Sequence, residues 1–426
     1  MLIRIALPLA LLAAPLSAQA PEPASAPVVE QELRGAADGI VAVLQGKKPP
    51  TEVFSPAFLA AVPPDKLAAL TAQIAAQFGP LESLDSVTAS GPTSGVIGLR
   101  FARAVYSGPF AIGPDGKVVN LLLNDYRPVG DDAATIERDL AALPGEVGVY
   151  YGPLDGSSPI IAVNADRQFA IGSTFKLYVL AALARQVESG TRHWDDVVRI
   201  DDIRSLPSGQ MQDWPKDAPV TLQTLATMMI SISDNTATDQ LIHILGRDAL
   251  NAAVRESGNS APERTLPFLT TREVFALKAD SDRGARYAAL SENEQSVALE
   301  ALAQEIAADP ANIAVPSFAQ PTLIDSIEWF ASAADLRKML VEIAALNDPT
   351  ARDILAVSPS IPAPRRKELA YAGFKGGSEP GVLNLTWLLQ RPDGEWRILT
   401  MSWNNPEAPL EAAPFELLSQ RILALP

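Results

Sequence analysis

The sequence contains no cysteine. Disulfides, thiol catalysis, thiolate metal sites and a cysteine-linked lipid anchor are therefore excluded. Histidine is almost as scarce, with only His193 and His243 in 426 residues. A metal centre draws three or four ligands, mostly Cys and His, so good candidates are few and neither a metal nor a cofactor is expected. A Ser-His-Asp enzyme would need one of the two histidines beside its serine, and the chain holds no G-x-S-x-G elbow to present such a serine. His193 sits in the polar run Thr191-Arg192-His193-Trp194-Asp195, and His243 follows Leu241 and Ile242. They read as one surface and one packing histidine. Positive charge is also in deficit, with 34 Lys and Arg against 50 Asp and Glu, a net of −16. Such a surface repels phosphate backbones and anionic lipid heads, so no nucleic-acid partner is expected. Past the N-terminus no run is apolar enough to span a membrane.

What is present starts with an export pattern. Arg4 precedes the apolar run from Ile5 to Leu16, and Ala18-Gln19-Ala20 supplies a small-x-small cleavage site. Residues 1–20 are thus expected to be a cleaved signal peptide, and the mature chain to be periplasmic or secreted. The Pro- and Ala-rich stretch 21–29 reads as a leader. The length suggests two or more domains and a core large enough to fold without staples. From about 30 to 126 the pattern is α+β. Leu67, Leu70, Ile74 and Phe78 recur at helical spacing up to Gly79-Pro80, and residues 96–106 alternate as one strand with Ile97, Leu99, Phe101 and Val105 on one side. Pro114-Asp115-Gly116 turns into a second strand, Val118 to Leu123. No catalytic constellation is visible there. Residues 127–144, with Pro128, Gly130 and Pro144, mark the boundary.

The second domain, 140–426, reads as an antiparallel sheet built from both ends of the segment, with an all-helical part between. Strands are expected at 146–151 and 160–163, then at 369–375, 382–390 and 396–403. A long helix should run from Ser173 to about Val187, further helices should fill 221–355, and a final helix should follow Pro414. The polar stretch 280–325, with Pro310, Pro316 and Pro321, looks like an elaboration.

Chemistry enters at Ile171-Gly172-Ser173-Thr174-Phe175-Lys176. One helical turn puts Ser173 and Lys176 on one face. A serine hydroxyl needs a base to become a nucleophile, and a lysine kept neutral by burial and nearby positive charge can serve. S-x-x-K is weak evidence alone, since a helix cap followed by a surface lysine gives the same letters. Two more motifs follow in order: Ser233-Asp234-Asn235 between helical runs, and Lys375-Gly376-Gly377-Ser378 at the end of a strand. Taken singly, these read as a capping turn and a strand-end turn.

Together the three motifs resemble the S-x-x-K, S-D-N and K-[ST]-G elements of class A β-lactamases and penicillin-binding proteins. Pro207-Ser208-Gly209, Val220-Thr221-Leu222 and the segment from Met229 to Gly246 extend the resemblance, which covers about 140–426. It implies that Ser173 is acylated, that Lys176 activates it, and that Ser233 relays a proton to the leaving nitrogen. Asn235 would orient substrate and lysine, Lys375 would bind the substrate carboxylate, and the N–H groups of Ser173 and Ser378 would form the oxyanion hole. Gly376 and Gly377 would border the substrate. Two departures stand out. Gly376 replaces the usual hydroxyl residue, a role that Ser378 would take over. The E-x-x-L-N glutamate is also missing: Glu273 lies near its place but reads as a capping carboxylate behind Thr270 and Thr271. The small front domain resembles the cystatin- or NTF2-like domain of a two-domain subgroup. Trp214 and Phe374 read equally as cleft or core aromatics. The implied activity is hydrolysis of β-lactams or related esters. A D-alanyl-D-alanine peptidase or a non-catalytic binding protein of the same fold remains open, as does the oligomeric state.

Overall fold

The computed structural model describes residues 26–205, 207–308 and 319–426. The expected signal peptide, part of the leader, Pro310 and Pro316 lie outside them. The chain divides into two compact units, Met1–Arg127 and Pro128–Pro426. Among the described residues no helix is long and apolar enough to cross a membrane.

Among the described residues of the first unit, three of four helices start on proline, at Pro50, Pro56 and Pro64. Proline suits a first helical position because its missing N–H would have no partner there. The helix Ala26–Leu44 buries Leu33, Ala37, Ile40 and Val41, a single stripe at helical spacing. Pro64–Phe78 ends at Gly79, whose φ of 82° is left-handed. Its expected stripe is only partly core, because Leu67 and Phe78 are buried while Leu70 is exposed. The antiparallel sheet runs Leu81–Gly91, Ser94–Phe101, Ala104–Ile112 and Val118–Leu121, with Asp125–Pro128 also on Ala104–Ile112. The single strand expected at 96–106 is therefore two strands. A tight turn at Ala102-Arg103 pairs Phe101 with Ala104. Alternation survives such a turn, and no Gly, Asn or Pro marks it.

In the second unit the sheet order is Tyr371–Glu379, Val382–Gln390, Trp396–Asn404, Glu146–Pro153 and Ile161–Val163, antiparallel throughout. Both ends of the segment thus build one sheet. Period-2 alternation splits it into two faces. Val149, Trp387, Leu399 and Met401 pack with the flanking helices Ala133–Ala141 and Ala412–Leu423. On the opposite face Tyr150, Leu388 and Ile398 join the helical part through Tyr178, Leu336 and Met339. Asn384, Thr386, Thr400 and Ser402, buried on that second face, hydrogen-bond one another at 2.8–2.9 Å, as buried polar groups must. The stretch 280–325 is not wholly peripheral, because Glu292–Ala308 buries Leu299, Leu302 and Ile306 in the main core.

Arg421, on the last helix, holds the two flanking helices together. Its guanidinium donates to both oxygens of Asp131 at 2.6 and 2.8 Å and to Asp139 at 2.6 Å. Arg421 and Asp131 are each only 6% exposed. Removing one partner strands the other charge in a dry site, a loss of about 3–5 kcal/mol. An Arg421→Met variant should therefore unfold at clearly lower urea concentration, with an unchanged slope. A midpoint equal to the wild type would show that the pair does not contribute.

Candidate active site

The first motif begins at a bend. Gly172 adopts φ 47°, and residues Gly172–Phe175 form a 3-10 turn that leads into the helix Lys176–Glu188. Ser173 thus sits on the turn before the helix rather than in its first α turn. The helix is buried from Lys176 to Ala184, with no polar face, so it runs through the core. Phe175 fixes the turn from within, stacking on Trp329 with ring centroids 3.6 Å apart. The third motif presses on the same turn. A Cβ on Gly377 would lie 2.5 Å from the Ser173 nitrogen and 2.7 Å from that of Thr174, and one on Gly172 would lie 3.1 Å from the Ser378 nitrogen. Only glycines permit this approach. It brings the backbone amides of Ser173 and Ser378 to one junction. The strand continues through the motif to Glu379 instead of ending at Lys375, so Gly376 and Ser378 share one face of it and Lys375 and Gly377 the other.

The second motif is held by its aspartate. Asp234 caps the helix Asn235–Leu245, accepting from the Ala237 nitrogen at 2.9 Å. Its other oxygen accepts from the nitrogens of Gln210 and Met211 at 2.6 and 2.8 Å. Gly209, at φ 117°, leaves room for that carboxylate, and the Asn235 nitrogen donates to the Ser208 carbonyl at 2.9 Å. Ser233 is thereby held at φ 59°, a left-handed conformation costing a non-glycine residue of order 1 kcal/mol or more.

The outcome is a chain of polar groups. Lys176 Nζ lies 2.7 Å from the Ser233 carbonyl, 2.7 Å from Asn235 Oδ1 and 3.1 Å from Ser233 Oγ. Lys375 Nζ lies 3.0 Å from the same Ser233 Oγ and 2.5 Å from the Gly376 carbonyl. Ser233 Oγ therefore bridges two buried amines. Burial first, and then the charge of Lys375, hold the Lys176 amine well below the usual lysine range, against a smaller pull from Asp239 and Asp234. Burial brings Lys375 down to about 7. A neutral Lys176 donates its two hydrogens to the Ser233 carbonyl and Asn235 and keeps a lone pair for a hydroxyl proton. A cleft of about 540 Å³ opens on this network, lined by Ser233, Lys375, Gly376, Phe374 and Arg366 among others. A larger cavity, about 690 Å³, lies elsewhere in the unit and contains none of the motif residues.

The eight residues singled out in the sequence thus converge, with Ser173 half-buried and Ser378 exposed at the third motif. Phe374 lines the cleft, whereas Trp214 packs against the main core. His193 and His243 are both exposed, so the packing role expected of His243 does not hold: it faces outward from its helix. Glu273 is committed elsewhere. It completes a capping box with Thr270 and pairs with Arg247 at 2.6 Å. Asp239 was not foreseen. Its fully buried carboxylate accepts from Ser205, Thr271 and the Arg272 nitrogen, tying the second-motif helix to the start of the helix Thr271–Ala279. Arg366, at the cleft edge, was missed as well, because no motif surrounds it.

Residues 133–314 match the model of the beta-lactamase enzyme family. The β-lactamase FAR-1 of Nocardia farcinica is 33% identical over 128 residues, 30% of this chain and 39% of that protein. CTX-M-8 of Citrobacter amalonaticus is 29% identical over 161 residues, 36% of this chain and 54% of that one. The chain thus spans about half or less of the length of these curated relatives. A β-lactamase structure from Sphaerobacter thermophilus aligns with 69% of this chain and 96% of its own, at 21% identity and a TM-score of 0.48. The family resemblance is thus borne out by the match over 133–314, which holds the first two motifs, and by the named relatives.

The lowered pKa of Lys375 predicts a stability signature. An unfolded lysine titrates near 10.5 and the folded one at about 7. Between these values the unfolded chain binds more protons, so stability rises with pH across that window. Burying the charged form costs stability below about pH 7, and that cost fades towards about pH 10. A Lys375→Met variant should therefore be more stable than the wild type near pH 6.5, and the gap should narrow as pH rises. Urea midpoints at several pH values check this; a gap independent of pH would contradict it.

Proposed function

We propose that this chain, with its β-lactamase-family segment, is an exported serine hydrolase that forms an acyl-enzyme on Ser173 with β-lactams or related esters. The observation that carries the reading is the buried Lys176–Ser233–Lys375 network beside the nucleophile turn. Neutral Lys176 takes the Ser173 hydroxyl proton while Oγ bonds to the substrate carbonyl carbon. The N–H groups of Ser173 and Ser378 receive the developing oxyanion. As the carbon–nitrogen bond breaks, Ser233 passes its proton to the leaving nitrogen and is reprotonated from the lysine pair. Asn235 orients Lys176 and the substrate. Lys375 attracts the substrate carboxylate, and Ser378 supplies the hydroxyl that position 376 lacks. Residues 1–20 serve as the cleaved export signal, and residues 30–126 as a separate accessory domain of cystatin- or NTF2-like kind that precedes the hydrolase domain 140–426 in sequence.

Hydrolysis of the acyl-enzyme is the slow half. The oxygens of Asp234 and Asp239 are engaged by N–H and hydroxyl donors, and those of Glu273 by Thr270 and Arg247. None is left to activate water, so Lys176 activates it after returning to the neutral state. This favours, as the second reading, a penicillin-binding peptidase in which the β-lactam adduct is long-lived.

Mixing residues 21–426 with a chromogenic cephalosporin and following intact mass tests the proposal. Wild type should gain the mass of the opened drug on Ser173, and Ser173→Ala should gain none. An adduct that persists in the alanine variant would refute Ser173. Glu273→Gln should leave the deacylation rate within about twofold while lowering stability by about 1 kcal/mol or more through the lost cap and ion pair. A tenfold or greater fall in deacylation would return Glu273 to the mechanism.

A further inference from the structure

Three ionisable side chains outside this network are buried together. Lys278, on the helix Thr271–Ala279, donates to Glu328 at 2.7 Å and also to Glu379. Lys278 is 0% exposed, Glu328 2% and Glu379 14%. Their neighbours in the chain give the cluster its interest. Glu328 precedes Trp329, whose ring stacks on Phe175 and whose carbonyl accepts from the Ile171 nitrogen at 3.0 Å. Glu379 follows Ser378, whose nitrogen stands at the junction with Gly172. One ammonium thus links both structures that confine Ser173: the Trp329 segment beneath the turn and the strand alongside it.

We propose that Lys278, Glu328 and Glu379 are positioning residues, a buried clamp with one proton shared between two carboxyls that keeps the Ser378 N–H aligned with Ser173. Its catalytic consequence rests on the acyl-enzyme reading above; the clamp itself does not.

Charge balance requires the proton. Two carboxylates against one ammonium would leave a net negative charge in a dry site, which is costly. Lys278 Nζ donates to a carboxyl oxygen of each glutamate, so both acids crowd one ammonium. Burial, followed by the charge of Glu328, pushes Glu379 up to about 9, against the pull of Lys278. Opposite Glu379, the neighbouring strand offers the apolar Val382. On the Glu328 side, Glu263, Arg264, Tyr287 and Asp325 line a cavity of about 250 Å³. The helix after Lys278 carries Asp282, Arg283 and Arg286. Among the described residues, Glu328 and Lys278 are the charged groups that shift Glu379. In the unfolded chain Glu379 titrates near 4.5, so the folded form binds the extra proton between about 4.5 and 9. The stability this gives is complete below that window and is lost as pH rises through about 9.

The full chain, Glu379→Gln and Lys278→Met form the test. Glutamine keeps the shape of a protonated carboxyl but does not ionise. From about pH 7 to about pH 10 the wild type should lose about 3 °C more in unfolding midpoint than Glu379→Gln does. Amide exchange near pH 7, read by mass spectrometry, should be about tenfold faster in Lys278→Met across both 169–176 and 372–380, and unchanged across 396–404. Acylation of that variant should slow by a similar factor. Parallel pH profiles of wild type and Glu379→Gln would overturn the clamp, as would normal exchange in either peptide of Lys278→Met. If Lys278→Met does not fold, the pH comparison decides alone. A wild type that no β-lactam acylates would sink the proposed activity while the exchange and unfolding results still judge the clamp.

Discussion

Lys176 is fully buried, and among the described residues no carboxylate pairs with its amine. A charged ammonium in such a place is expensive, and a second amine on the far side of Ser233 Oγ makes it more so. The chain meets this constraint by weakening the hold of Lys176 on its proton and giving the amine a carbonyl and an amide oxygen as acceptors. The neutral form that this favours is the one able to accept a proton. The left-handed backbone at Ser233 belongs to the same arrangement, because it directs both the carbonyl and the hydroxyl of one residue at Lys176. Asp234 holds that backbone with three N–H donors, two of them from the segment after Gly209.

The fold supplies what this network needs from three directions. A core helix with no polar face fixes Lys176. A capped helix start fixes Asn235. An edge strand, closed against the Ser173 turn through Gly377, brings in Lys375 and the Ser378 amide. The polar network is therefore mounted on rigid elements and not on loops, which is how a geometry good to fractions of an ångström is kept. The clamp of Lys278, Glu328 and Glu379 applies the same logic one layer out, where opposite charges are paired and the surplus is met with a proton.

How much of this was legible in the sequence depended on how local the signal was. Ser173, Lys176, Ser233, Asn235 and Lys375 could be read because each motif is a short string at an element boundary, and the sheet could be read from apolar strand-length runs at both ends of the segment. The strand through Gly376 and Gly377 was cut short because paired glycines disfavour strands unless a close backbone approach demands them. The hairpin at Ala102-Arg103 was invisible because its turn carries no turn residue. The outward face of His243 was misjudged from the apolar Leu241 and Ile242 before it. Asp239 and the clamp left no trace at all. Their partners lie 32, 50 and 101 residues away in sequence, and only the folded chain brings them together.

The central claim of the proposed mechanism is that Lys176 is neutral at the pH of acylation. Labelling the lysine side chains with carbon-13 at Cε and titrating them by NMR, with Lys176→Arg to assign the signal, measures this directly. The account predicts one resonance, absent from the variant, that titrates well below the ordinary lysine value of about 10.4. If that resonance titrates with the surface lysines, Lys176 is an ammonium at neutral pH and is not the base for Ser173.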